Sequence, residues 1–432
     1  HDVRRLDRVA RLPGLLDRAT GFQVAHANAV ERLPFAGFDH LVLDDHVRIT
    51  VDEDLEAGLE FAGVVAAHVL SSALRSREGR PRIPGPKRAH MITATPLSRQ
   101  QPAAPTTWQQ EFADSITDPA ELADILHLPS DWLAGARAAA ASFGLRVPRS
   151  FVNRMRVGDI NDPLLRQVLP IGAELDRAPG YVSDPLQEND AGLAPGLLKK
   201  YAHRALLITT EACAVHCRYC FRREFPYADQ QGDLGRWREA ISAIAADDSI
   251  REVILSGGDP LSLTNARLKS LTDALRGIAH IEWLRIHTRN AIVLPSRVDD
   301  SFVDWIASLA WRVTVVLHVN HANELQGDAA DAISKLRSTG ALLLNQAVLL
   351  RGVNDEAETL VALSKRLHDL GVAPYYLHLL DRVNGTAHFE VSEARGKELV
   401  TAMAEALPGF LVPKLAREMP GREAKTVLAA GL

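Results

Sequence analysis

From Lys200 onward one rhythm repeats six times: a short apolar run, then a longer amphipathic stretch. The runs are Ala205–Thr209, Glu252–Leu255, Trp283–His287, Val313–Val319, Leu342–Leu350 and Pro374–Leu380. Between them lie helical patterns at Leu234–Ala246, Asn265–Ile278, Asp299–Leu309, Ala329–Ser338 and Ala357–Leu370. Strands that each return through a helix can pair only in parallel, because a parallel neighbour needs a long crossover. The expectation is therefore an α/β fold built on a parallel sheet of βα units. Six units fall short of the eight of a closed TIM barrel, so the sheet is expected to form an open, partial (βα)6, TIM-like barrel.

The flanks read differently. Residues 91–200 are expected to form a helical N-terminal region. Trp108, Phe112 and Ile116 recur at fourfold spacing, as on one helix face. Thr117-Asp118-Pro119 then predicts a break and an N-cap before the next helix, over Glu121–Leu126. Residues 161–195 are rich in Pro, Gly and Asp and predict irregular connection. After a barrel over 201–390, residues 391–432 predict a helix, a strand at Phe410-Leu411-Val412 and a polar tail. The first 90 residues stand apart, with Lys87 as their only lysine and none of the chain's 4 methionines, 6 tryptophans, 6 tyrosines or 3 cysteines. A linker-like Arg80–Arg88 precedes Met91, the first methionine. The expectation is that 1–90 lie upstream of a native start at Met91, with an extra N-terminal domain as the alternative.

Of the 432 residues 47% are hydrophobic, and 49 Lys+Arg against 54 Asp+Glu leave a net charge of −5. That balance gives no general electrostatic case for nucleic acid. No apolar run reaches the length of a membrane span, and a cytoplasmic protein is expected.

In βα barrels the reactive groups sit beyond the C-terminal ends of the strands. Here the first strand is followed by Cys213, His216, Cys217, Tyr219, Cys220, Arg222 and Arg223, the second by Ser256-Gly257-Gly258-Asp259, and the third by Thr288 and Arg289. The fourth ends in His318, Asn320 and His321, the fifth carries Gln346 and the sixth runs into Asp381. The polar groups gather on one rim. All three cysteines lie within eight residues, a poor disulfide framework and a good ligand set. Structural zinc normally takes four protein ligands, and His216 would have to serve as the fourth from within a strained loop. An iron–sulfur cubane accepts three thiolates and leaves one iron open to a small molecule. The Ser256–Asp259 turn is glycine-rich, and its backbone amides are expected to approach a ligand.

With Tyr219 in the aromatic place, Cys213-x3-Cys217-x-Tyr219-Cys220 resembles the signature of the radical S-adenosylmethionine (SAM) superfamily. The resemblance implies a [4Fe-4S] cluster on Cys213, Cys217 and Cys220 that cleaves SAM to a 5′-deoxyadenosyl radical. A closer similarity, over roughly Leu197–Lys425, is to the lysine 2,3-aminomutase family. It rests on Cys220–Phe225, Leu255–Asp259, His318–Glu324, Asn345–Asp355, Pro374–Asp381 and Pro420–Lys425. From Met91 onward the chain looks like the short bacterial branch associated with β-lysylation of translation elongation factor P.

What this second resemblance implies is specific. The activity is conversion of L-lysine to β-lysine by an isomerase using pyridoxal 5′-phosphate (PLP), whose conjugation delocalises an unpaired electron. Lys425 would be the Schiff-base lysine, and Lys200, Tyr201 and Arg204 would face the PLP phosphate. Tyr219, Ser256, Gly257, Gly258, Asp259, His318 and Gln346 would lie on the SAM side. Arg222 would clamp the substrate α-carboxylate, as a bidentate guanidinium can, and Asp381 and Glu418 would face its ammonium. Further implications are an electron donor such as flavodoxin or ferredoxin, a link to elongation factor P and its lysyl ligase, and a homo-oligomer, with no nucleic-acid or membrane partner. The chain departs from the pattern at Glu418, where an aspartate is expected, and in keeping one glycine, Gly421, before Lys425. C-terminal zinc cysteines are absent, so no structural zinc is expected. The rivals are a sister aminomutase for glutamate or arginine, a radical SAM enzyme without PLP, and a metal-stapled binding module.

Overall fold

The computed structural model describes residues 107–227 and 234–429, together with three short strands nearer the N-terminus. The chain divides into two compact units, residues 1–99 and 100–432. In the first, β1 (Gln23–His26), β2 (Phe38–Asp44) and β3 (Val47–Asp52) form an antiparallel sheet in the order β1-β3-β2. The linker read at Arg80–Arg88 and the start read at Met91 lie outside the described residues.

The second unit holds a ten-stranded sheet. Its members are β4 (Gly192–Ala194), β5 (Leu197–Tyr201), β6 (Arg204–Thr210), β7 (Glu252–Gly257), β8 (Trp283–Thr288), β9 (Arg312–His318), β10 (Leu342–Val348), β11 (Ala373–His378), β12 (Lys414–Arg417) and β13 (Thr426–Val427). They lie side by side in chain order. Strands β6 to β12 are parallel, while β4 and β5 at one edge and β13 at the other run antiparallel to their neighbours. All six strands read from the sequence are present within a residue or two of their expected ends.

Side-chain alternation explains what these strands do. In β8, Leu284 and Ile286 are buried on the helix side, while Arg285 and His287 face the opposite way, into a chamber. The same parity gives the chamber Arg204 and Leu206 from β6, Gln346 and Val348 from β10, and His378 from β11. The helices cover the outer face with apolar stripes of period three to four. Helix α1 (Asn265–Leu275), capped by Thr264, buries Leu268, Leu271 and Leu275, and α2 (Ala357–Asp369) buries Leu360, Leu363 and Leu367. These stripes join the sheet in one continuous core.

Two expectations need correction. Trp108, Phe112 and Ile116 do not share a helix. That helix spans Trp108–Ala113 and is capped by Asp114, and Ile116 is buried by pairing with Val147 in an isolated bridge. Phe410-Leu411-Val412 is not a strand. Pro408 and Gly409 favour a turn, Pro413 cannot donate to a ladder, and the strand begins only at Lys414, leaving Phe410 68% exposed. The six parallel strands of the expected partial barrel are all present, and β12 adds a seventh beside β11. Elsewhere the punctuation was legible: Asp118 caps a helix over Pro119–Leu126, with its side chain accepting from the Ala120 amide. Residues 161–195 are largely turns and short 3-10 segments.

Candidate active site

The loop after β6 carries Cys213, Cys217 and Cys220 into a chamber of about 660 Å³. The loop is tied to the helical region on several sides. The His216 amide donates to the Arg146 carbonyl and the Arg218 amide to the Gln167 carbonyl, both at 2.9 Å. Arg218 is fully buried and makes a bidentate pair with Glu174 at 2.9 and 2.6 Å; Arg223 reaches the same carboxylate at 2.8 Å. The residues between 107 and 176 thus form a collar that fixes the backbone of the cysteine loop.

The three cysteines are donors that the loop brings to this chamber. Among the described residues no three His, Cys, Asp or Glu side chains converge on a single-ion site. His216 is held away by a 2.8 Å contact of its Nδ1 with the Gly144 carbonyl and by stacking on Phe143. Thiols spread along one loop suit a polynuclear cluster in which each iron takes its own ligand. Burial pushes the Cys213 and Cys220 thiols up, Cys220 to about 11, a cost that a metal bound to the thiolates would offset. Arg289 supplies a positive group at this face, donating to Cys217 Sγ at 2.7 Å.

The glycine turn at the end of β7 is built differently from the expectation. Its amides are not turned to a ligand: Gly258 N–H donates to the Thr210 carbonyl at 2.7 Å and Asp259 N–H to Ala212 at 2.9 Å. A Cβ on Gly257 would lie 2.6 Å from the Thr210 oxygen, and one on Gly258 2.5 Å from that of Glu211. The glycines are needed so that the turn can lie against the backbone entering the cysteine loop. What the turn offers instead is carbonyl oxygen, and Gly257 O accepts from Tyr227 Oη at 2.9 Å and Arg222 Nη1 at 3.2 Å. Asp259 also works inward. Its carboxylate takes the Thr288 hydroxyl and the amides of Leu261, Arg289 and Asn290, so it braces the turn rather than reaching a ligand. Burial pushes its pKa up, against the pull of those amides.

Tyr219, His318 and Gln346 line the same chamber. Tyr219 is buried; its hydroxyl meets His318 Nε2 at 2.8 Å and Asn320 Nδ2 at 2.7 Å, and Arg289 also donates to it. Burial keeps His318 neutral, with its pKa far below the ordinary range.

Across the chamber lies the C-terminal segment. Lys425 pairs with Glu418, and Glu418 accepts from Lys200 at 3.1 Å. Burial raises the Glu418 pKa, but Lys425 and Lys200 outweigh it and hold the group at about 2. Asp381 is pushed up to about 7, first by burial and then by Glu418. Tyr201 and Arg204 stand together, with the guanidinium 4.8 Å over the ring. Each of these residues lines the chamber that also contains the three cysteines. Arg222 is less free than expected: its Nε and Nη2 are engaged by Glu188 at 2.7 and 2.9 Å.

Sequence reasoning missed Glu188, Glu174 and His287. Glu188 and Glu174 sit in the irregular stretch, where no periodicity marks them. His287 could have been found by the parity of β8, which turns it inward; its Nε2 has no hydrogen-bond partner.

Residues 207–363 match the radical SAM superfamily. A cysteine loop of that spacing on the first parallel strand of an incomplete barrel, with the β7 turn packed under it, defines a radical SAM enzyme, and that class implies an iron–sulfur cluster and SAM. The chain is 46% identical over 341 residues to L-lysine 2,3-aminomutase of Escherichia coli K12, covering 79% of this chain and 98% of that protein. It is 42% identical over 322 residues to the Haemophilus influenzae enzyme of the same name, covering 74% and 95%. With the Clostridium subterminale L-lysine 2,3-aminomutase it shares 32% over 322 residues, covering 74% and 77%. The chain belongs to the lysine 2,3-aminomutase family, a family of isomerases. Among the described residues no helix is long and apolar enough to cross a membrane.

Proposed function

We propose that the protein is an L-lysine 2,3-aminomutase that uses a [4Fe-4S] cluster, SAM and PLP to convert L-lysine to β-lysine. The observation that carries this reading is one chamber lined by both the three-cysteine loop and Lys425, with Glu418 and Asp381 beside the lysine. The residues present suit both groups. The cysteines would hold three irons, Lys425 would hold PLP through its amine, and Lys200 and Arg204 supply positive charge for a phosphate. When bound, the cluster and SAM supply a carbon radical and PLP supplies the conjugation that spreads an unpaired electron.

The chain's own residues do the rest. Arg222 offers hydrogen-bond donors to a carboxylate from beside the Gly257 carbonyl. Asp381 and Glu418 supply negative charge for an ammonium. Asp381 is ionised only above about pH 7, so recognition of a cationic side chain strengthens as pH rises through that value. The buried neutral imidazoles of His287, His318 and His378 wall the chamber without adding charge. The paired carboxylates disfavour a glutamate side chain and leave arginine as the competing substrate. Supply of β-lysine to elongation factor P and its lysyl ligase, reduction by flavodoxin or ferredoxin, a homo-oligomer and a cytoplasmic location complete the reading. Their support is the likeness to the short bacterial branch.

Anaerobic incubation of the reconstituted protein with reductant, SAM, PLP and each of L-lysine, L-arginine and L-glutamate tests it. β-Lysine is the expected product. Turnover of arginine or glutamate in its place would overturn the substrate, and an unchanged rate without PLP would overturn the cofactor.

A further inference from the structure

The stretch that looks irregular in sequence places one buried carboxylate with unusual care. Gln187 adopts the left-handed conformation, φ +51° and ψ 45°, uncommon for a residue with a side chain. The 3-10 turn Glu188–Ala191 follows, and the Asp184 carboxylate accepts the amides of Glu188 at 3.0 Å and Asn189 at 3.1 Å. Backbone strain and a side-chain clasp together fix where Glu188 stands.

Glu188 is 4% exposed and lies between two cations. Arg222 Nε donates to Oε2 at 2.7 Å and Nη2 to Oε1 at 2.9 Å, while Lys200 Nζ lies 3.4 Å from Oε1. A guanidinium has two edges able to hold a carboxylate, Nε with Nη2 and Nη1 with Nη2. Glu188 occupies the first and so sets the plane of the group, which the rings of Phe221 and Phe225 flank at 4.8 and 5.8 Å. On the second edge Nη1 makes only two long contacts, 3.2 Å each, to Ser256 Oγ and the Gly257 carbonyl. Nη2 retains a hydrogen beyond the one given to Glu188. The Lys200 ammonium is oriented by the same carboxylate on one side and by Glu418 on the other. Burial raises the Glu188 pKa, but Arg222 and Lys200 outweigh it and keep the group ionised.

We propose that Glu188 is a positioning residue for two anion-recognition groups at once: it turns the Nη1/Nη2 edge of Arg222 toward the α-carboxylate of the amino-acid substrate and holds Lys200 for the phosphate of PLP. This deepens the aminomutase reading and rests on it. One carboxylate also keeps two neighbouring cations from repelling each other, so its loss disturbs both subsites together.

The test uses the full chain, reconstituted anaerobically, as wild type, Glu188→Gln and Glu188→Asp, with thermal unfolding to check folding. KM and kcat for L-lysine, the PLP dissociation constant by absorbance titration, and inhibition by 1,5-diaminopentane, which is lysine without its carboxylate, are measured for each. Removing charge-assisted bonds of this kind costs about tenfold or more in affinity, so Glu188→Gln raises the lysine KM and the PLP dissociation constant by that factor. The expected kcat changes less than KM, 1,5-diaminopentane inhibition is nearly unmoved, and Glu188→Asp recovers part of both losses. Equal weakening of lysine and 1,5-diaminopentane, or unchanged binding of lysine and PLP, overturns the proposal. Should Glu188→Gln fail to fold, Glu188→Asp decides alone: an intermediate loss confined to lysine and PLP supports the proposal, and no loss overturns it. A wild type that neither binds PLP nor isomerises lysine overturns the aminomutase reading itself, which separates the two failures.

Discussion

The cysteine loop and the Lys425 segment line one chamber but are held in opposite ways. The loop is clamped by backbone bonds to Arg146 and Gln167, by the glycine turn beneath it and by the buried Arg218–Glu174 pair. The Lys425 segment is held by a ladder of two residue pairs between β12 and β13, by the Leu428 amide on the Leu415 carbonyl and by side-chain charge, with Arg422 and Glu423 in solvent. A metal cluster needs ligands at fixed separations, and preorganised backbone supplies that. In the proposed reading Lys425 exchanges its carboxylate partner for a ligand, and an ion pair can be given up without breaking a strand.

Five experiments break or sharpen this contrast. Replacing any one of Cys213, Cys217 and Cys220 by alanine should have the largest effect: iron and sulfide content fall, and both SAM cleavage and isomerisation drop to background. Lys425→Ala should separate the faces, with isomerisation and the PLP absorption band lost while reductant-driven SAM cleavage persists; loss of that cleavage as well would show that the faces are not independent. Arg218→Met leaves Glu174 with Arg223 as its one remaining cationic partner and should lower stability by about 3 kcal/mol in denaturant unfolding. On the other face, Glu423→Ala should change stability by less than about 0.5 kcal/mol. The remaining effect, at Asp381, depends on pH. Its folded pKa, about 7, lies above the ordinary 3.8, so the folded chain binds the proton more tightly and stability falls as pH rises between those values. Asp381→Asn removes that slope; the variant should melt a few degrees above wild type at pH 8 and level with it at pH 4.

Legibility in the sequence followed the same division. The βα strands could be read because period-two burial and period-three-to-four stripes are imposed by the sheet and its helices, as in β8 and α1. The cysteine loop could be read because its ligands are adjacent in the chain. Glu174 and Glu188 could not, since each meets its arginine across 44 and 34 residues from within turns that leave no period. The amides of Gly258 and Asp259 were misjudged for a related reason. Glycine announces a close approach, but only the fold reveals whether backbone or ligand is approaching. At Phe410 an apolar triplet suggested a strand, and the prolines on either side prevailed.

One consequence follows from the Lys200–Glu418 contact. Lys200 belongs to β5 and Glu418 follows β12, far apart in the strand order, yet they meet at 3.1 Å. The ten strands are a belt joined to one another by ladders of peptide bonds, and at this point its two sides meet through charged side chains. In the wall where Lys425 stands the closure is therefore a matter of charge, while a main-chain bridge between Val182 and Val383 ties the two sides elsewhere.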